Sequence, residues 1–222
     1  VHFEYLDTEE KTGKAGIYIW KEIHKEIKDI LHDLRGTVLL IHDSLEFTDF
    51  IDLLNKIRPG CLLDVLYISL IRSYGFMKQA LDLKPLDEKR IFIMDCVSGF
   101  AFPPEEGVDD VLYHKPPRSL LEFKEIINCG VEKTNPDIIV FDSLSQFINF
   151  SHPSDEELKE LYGFLKTIRK LSAHNTFVLL YDNKMGLMRR LPRKDVDMIL
   201  KLEIVKEEPE WIYQFADKIL RI

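Results

Sequence analysis

Five continuous apolar, β-prone runs alternate along the chain with stretches of helical periodicity, and this alternation limits the fold most. The runs are Thr37–Ile41, Val65–Ile68, Ile91–Met94, Asp137–Asp142 and Thr176–Tyr181. A strand that is apolar at nearly every position is buried on both faces of its sheet. Between the runs, apolar side chains recur at the helical interval. One set is Phe50, Leu53, Leu54 and Ile57, closed by Pro59-Gly60, and a short one spans Phe76 to Leu83. A third is Leu120, Phe123, Ile126 and Ile127, after Ser119 with Glu122 spaced for a capping box. The last is Leu158, Leu161, Leu165, Ile168 and Leu171, after Ser154. Parallel strands need crossovers, and crossover helices cover both faces of the sheet. The expected fold is therefore α/β: a three-layer sandwich around a mainly parallel sheet, in one domain of residues 1–222.

The two ends depart from this alternation. Residues 1–35 are expected to form an N-terminal extension with an amphipathic helix over about residues 17–34. Ile19, Ile23, Ile27, Ile30, Leu31 and Leu34 form its apolar stripe, which packs on the sheet or, alternatively, docks another subunit. At the other end, Val196–Val205 and Trp211–Ile222 read as two strands joined at Glu207-Glu208-Pro209-Glu210. They are expected to make an antiparallel hairpin at the sheet edge. A short extended piece is expected at Val111-Leu112-Tyr113.

Charge and composition narrow the partners. The net charge of −8 argues against a broad nucleic-acid or anionic-membrane footprint. Charged residues reach 31%, rich in Lys and Glu, a pattern seen in proteins from hot environments. No apolar run is long enough to cross a bilayer, and Val1–Ala15 has no signal-peptide pattern. Cys61, Cys96 and Cys129 are scattered without a Cys-x-x-Cys pair, which reads as reduced, mostly buried thiols and a cytoplasmic protein.

The fourth apolar run carries the functional signal. It ends in Asp142, Ser143 and Ser145, so it delivers a carboxylate and two hydroxyls at the C-terminal end of a buried strand. The segment Pro136-Asp137-Ile138-Ile139-Val140-Phe141-Asp142-Ser143-Leu144 resembles the Walker B strand of RecA-like P-loop ATPases, within them the KaiC and RadA branch. Val196-Asp197-Met198-Ile199-Leu200-Lys201-Leu202 resembles a later strand of the same family. The resemblance covers roughly Gly36 to Ile222, rests on the order of elements, and extends to a small archaeal set of such relatives. It implies the sheet order 91–94, 65–69, 137–142, 176–181, 37–41, then the hairpin. It also implies a ligand crevice beyond the C-terminal strand ends.

Against that pattern the nucleotide machinery is depleted. ATP binding by such a fold needs glycines whose amides approach phosphate, a Lys on the β and γ phosphates, and a hydroxyl for Mg²⁺. The corresponding stretch, His42-Asp43-Ser44-Leu45-Glu46-Phe47-Thr48-Asp49, has no Gly and no Lys. Aligned without gaps, Thr48 falls at the Lys and Asp49 at the hydroxyl. Asp43, Glu46 and Asp49 put negative charge where a polyanion would sit. Two like charges about 4 Å apart at an effective dielectric near 20 repel by about 4 kcal/mol. The resemblance also implies a catalytic glutamate after the second strand, but that place reads Ser69-Leu70-Ile71-Arg72-Ser73, with no base to activate water. The expectation is an ATPase-like fold without catalysis or cofactor, acting through a protein partner or self-association as a homo-oligomer. Asp142 itself reads as a carboxylate capping the turn that follows it.

Two other readings stand beside this one. Asp43, Asp142 and Asp182 end strands that the implied order makes neighbours, and together they can hold Mg²⁺ or Mn²⁺ and with it a phosphate compound. The plain alternative is that Asp is common in loops leaving strands, as at Asp95. Lys184, Arg189, Arg190, Arg193 and Lys194 make a basic loop that can contact nucleic acid, although a solvated loop is favoured. His42, His152 and His174 lack ligand spacing, and Phe147, Ile148 and Phe150 read as core or, alternatively, interface.

Overall fold

In a computed structural model the described residues build one eight-stranded sheet with helices on both faces. The structure describes residues 2–6, 29–32, 34–43, 45–98, 110–171, 176–185 and 196–203. In chain order the elements are β1 (His2–Leu6), β2 (Gly36–His42), α1 (Phe47–Lys56), β3 (Leu63–Ser69), α2 (Tyr74–Leu83), β4 (Lys89–Asp95) and β5 (Val111–Tyr113). They continue as α3 (Leu120–Thr134), β6 (Ile138–Asp142), α4 (Leu144–Ser151), α5 (Asp155–Leu171), β7 (Thr176–Asp182) and β8 (Met198–Glu203). The strand order is β1-β8-β2-β7-β6-β3-β4-β5. All neighbours are parallel except β1, which runs antiparallel to β8. From β4 to β2 this is the order that the RecA-like resemblance implied.

The three layers follow from the two-residue period of a strand. On β2, Leu39 and Ile41 enter the layer formed with α3, α4 and α5. Val38 and Leu40 enter the opposite layer, with α1 and α2. Close approach of α3 to the sheet requires Gly130, because a Cβ there would lie 2.5 Å from Leu66 Cδ2. Serines start the helices by accepting orphan backbone amides. Ser119 Oγ accepts from Glu122 N, and Ser154 Oγ from Glu157 N, each at 3.2 Å. Glu157 Oε2 returns the bond from Ser154 N at 2.8 Å, closing a reciprocal box.

Of the expected C-terminal hairpin, only the first arm falls within the described residues, as β8. β8 lies parallel to β2, and its antiparallel neighbour is β1 from the N-terminal segment. The expected second arm, residues 211–222, lies outside the described residues, as do residues 17–28 of the expected N-terminal helix. Residues 29–32 are helical, and Leu31 and Leu34 are buried in the α1/α2 layer. Arg58 anchors this segment, donating from Nη2 to Leu34 O at 3.0 Å and to Thr176 Oγ1 at 2.6 Å. Cys96 is buried and Cys129 half-buried, but Cys61 is exposed, because it follows the turn that closes α1 instead of entering a strand. No helix among the described residues is long and apolar enough to cross a membrane.

Candidate functional site

Strand register brings the polar strand ends to one rim of the sheet. His42 on β2 stands opposite Asp182 on β7. Asp142 on β6 stands between Leu180 of β7 and Ser69 of β3, and Ser69 in turn faces Asp95 of β4. Such a rim, at the C-terminal ends of parallel strands, is where open α/β sheets bind ligands.

At its centre lies a buried ion pair. Asp142 is fully buried, and its Oδ2 accepts from the Tyr67 hydroxyl at 2.5 Å. Tyr67 is fully buried, its ring wedged against the rings of Phe47 and Phe50 at 5.2 and 5.4 Å. The same Oδ2 accepts from Arg72 Nη1, while Arg72 Nη2 donates to the Leu45 carbonyl at 2.6 Å. Arg72 follows β3 in a turn fixed by its own amide, which donates to Ser69 Oγ at 2.8 Å. Burial pushes the Asp142 carboxyl up from its ordinary pKa, and Arg72 and the hydrogen bonds from Tyr67 and Arg72 pull against that rise. Burial works against the Arg72 charge, but Asp142 and Tyr67 outweigh it and hold its pKa above the ordinary value. Asp142 Oδ1 is buried without a hydrogen-bond partner among the described residues.

In the described part of the loop between β2 and α1, a carbonyl oxygen is turned toward this pair. Leu45 N donates to His42 Nδ1 at 3.1 Å, so that amide is consumed inside the loop. The Leu45 carbonyl oxygen faces inward and accepts from Arg72. His42 is buried, and its pKa is lowered to about 4 by burial, with Asp182 and Asp43 opposing and Arg72 assisting. The imidazole is therefore neutral near pH 7. Because Nδ1 accepts, this hydrogen bond assigns the proton to Nε2, which is buried without a partner among the described residues. Asp43 is half-buried, and its Oδ1 has no hydrogen-bond partner among the described residues. Thr48 and Glu46 are exposed and Asp49 is half-buried, while Ser44 lies outside the described residues.

The remaining polar residues have local work. Ser143, not Asp142, caps the following helix: its Oγ accepts from Gln146 N at 3.2 Å. The expected role of Asp142 as a turn cap is thus corrected, because its carboxylate points across the sheet to β3 and Arg72. Ser145 Oγ accepts from Asp182 N at 3.2 Å. Asp95 staples its own connection, accepting from Tyr74 N and Val97 N at 2.7 Å and from Ser98 N at 2.8 Å. Asp182 Oδ1 accepts from Lys184 N at 2.8 Å. Among the described residues no group of three or more His, Cys, Asp or Glu is placed to hold a metal ion. Asp43, Asp142 and Asp182 share the rim without forming such a group, and Asp142 pairs with Arg72. Lys184 is exposed, and Arg189, Arg190, Arg193 and Lys194 lie outside the described residues. Phe147 and Ile148 are core residues of α4, whereas Phe150 is exposed.

Sequence reasoning missed Tyr67, the Leu45 carbonyl and the role of Arg72. The available signal was a cation following one strand and a retained carboxylate ending another that the implied order makes its neighbour.

No protein-family model matches the sequence, and no curated protein does. Among solved structures the chain is similar to a KaiC-like protein, PH0186, from the hyperthermophilic archaeon Pyrococcus horikoshii OT3. The two share 12% identity at a TM-score of 0.48, over 79% of this chain and 74% of that one. That likeness concerns the fold, and the chemistry of the rim is argued from this chain's own residues.

Proposed function

We propose that this chain is a non-catalytic binding or scaffold protein, a RecA/KaiC-like domain whose nucleotide crevice is filled by its own arginine. One observation carries the reading: Arg72 joins the buried Asp142 carboxylate to the Leu45 carbonyl. A triphosphate needs inward amides, a Lys and a metal-bearing hydroxyl. The stretch 42–49 offers instead a carbonyl oxygen, a neutral His42 and carboxylates at Asp43, Glu46 and Asp49. To enter, phosphate would have to draw Arg72 from Asp142 and leave two anions together. Breaking a buried pair from one side costs about 3–5 kcal/mol. Arg72 also stands where a catalytic base would be needed, so water at the rim has no activating carboxylate there. The work left to such a domain is contact with another protein chain or with its own copies.

Equilibrium titration with ATP and Mg²⁺ tests the reading. The expected result is no saturable binding up to millimolar nucleotide and no phosphate release. Micromolar binding with turnover overturns it. Calorimetry with Mn²⁺ on the native chain and on Asp142→Asn tests the metal reading in parallel: heat abolished by the substitution would favour a phosphate binder that uses a metal.

A further inference from the structure

We propose that the rim at Asp142 is a guanidinium site, a set of oxygen acceptors arranged around a planar cation, occupied in the native protein by Arg72. The inference deepens the reading above and rests on it. The acceptors come from three elements: Asp142 Oδ2 from β6, the Tyr67 hydroxyl from β3, and the Leu45 carbonyl from the β2–α1 loop. Their donors are already spent. The Tyr67 proton goes to Asp142 and the Leu45 amide to His42, so both residues show lone pairs to the arginine. The two Nη groups of Arg72 divide between separate acceptors, Asp142 and Leu45, which suits a rigid two-pronged cation better than a compact ammonium. Asp142 Oδ1 adds an acceptor that nothing among the described residues satisfies, at a fully buried carboxylate. The Arg72 side chain is 16% exposed against 0% for Asp142, so the arginine reaches inward from the surface. Trimming it leaves an acceptor-lined entry open to solvent, and the chemistry that fits this entry is a small guanidinium compound instead of a phosphate.

Chemical rescue of full-length Arg72→Ala tests the proposal, with methylguanidinium as the probe at about 10 mM, well below denaturing concentrations. A ligand that binds only the folded state raises its melting temperature. The expected result is a rise of about 3 °C or more in Arg72→Ala, saturable and 1:1 by calorimetry. The native chain should show no rise, and neither should Arg72→Ala/Asp142→Asn, which lacks the carboxylate. Methylammonium should rescue less, and Arg72→Lys should fall between alanine and the native chain. Equal rescue of both single and double variants, or none in either, overturns the proposal. So does an Arg72→Ala chain that fails to fold even with methylguanidinium present while the double variant folds. If Arg72→Ala instead gains affinity for ATP and Mg²⁺, the rim prefers anions once opened and the guanidinium assignment fails, while a native chain inert to ATP still supports the function proposed above. If the native chain itself binds ATP, that functional reading falls whatever methylguanidinium does.

Discussion

Arg72→Ala removes the cation beside a carboxylate that water cannot reach. Asp142 is fully buried and Arg72 is 16% exposed, so the loss is set by the carboxylate left behind. Contact between unit charges is worth about 4 kcal/mol at 4 Å and an effective dielectric near 20. Leaving one partner of a buried pair alone costs about 3–5 kcal/mol in practice. The Leu45 carbonyl loses its hydrogen bond to the same guanidinium, but that loss belongs to the same side chain and is not added separately. A total near 3–5 kcal/mol would consume much of the 5–15 kcal/mol stability typical of a domain. The sign with pH follows from Asp142. Burial already raises its pKa in the fold, and without Arg72 the rise is larger, so the fold favours the neutral acid. The deficit should then grow as pH rises through the folded-state pKa and shrink as the carboxyl protonates at lower pH. Urea unfolding of the native chain and of Arg72→Ala, at about pH 5 and about pH 7.5, reads this directly. Asp142→Asn should cost less, about 1–3 kcal/mol, because Arg72 can turn toward solvent. The double variant should be less destabilised than the sum of the singles. A deficit under about 1 kcal/mol at neutral pH, or strict additivity of the two changes, would refute the buried-pair argument.

His42 gives the second prediction. Its pKa falls from 6.5 to about 4 on folding, so the neutral ring contributes stability that is present above 6.5 and lost as pH drops toward 4. The loss amounts to about 3 kcal/mol. His42→Asn keeps an acceptor for Leu45 N, and across that window the variant's stability should fall less steeply than the native chain's in pH-dependent urea unfolding; equal slopes would contradict it. In the third prediction, Gly130→Ala drives a methyl against Leu66 Cδ2, where only 2.5 Å is available. Thermal unfolding should show a net loss of about 1–3 kcal/mol despite the better helix propensity of alanine, and a stabilised variant would show that α3 can move off the sheet.

The interior of the sheet was legible because its strands are apolar at nearly every position, and that pattern admits few topologies. The β1 edge was not. His2-Phe3-Glu4-Tyr5-Leu6 alternates as an edge strand does, yet its partner β8 lies at the far end of the chain, and local pattern says nothing of such pairing. Helix α4 escaped because eight residues give barely two turns of periodicity, and because Ser143 was read as a site residue before it was read as a cap. At the rim, it could be read directly that residues 42–49 hold no Gly and no Lys. What closes the rim could not: Arg72 was weighed as an absent base, and its bond to Asp142 joins residues 70 positions apart. Only the strand register shows that these two side chains must meet.

The central claim, that the chain's own arginine occupies the place a nucleotide tail would need, is tested most directly by a crystal structure of the native protein grown with saturating ATP and Mg²⁺. The expected map shows Arg72 between Asp142 and the Leu45 carbonyl, with no phosphate at the rim. Phosphates nested against the amides of residues 44–49, with Arg72 swung away from Asp142, would contradict the account.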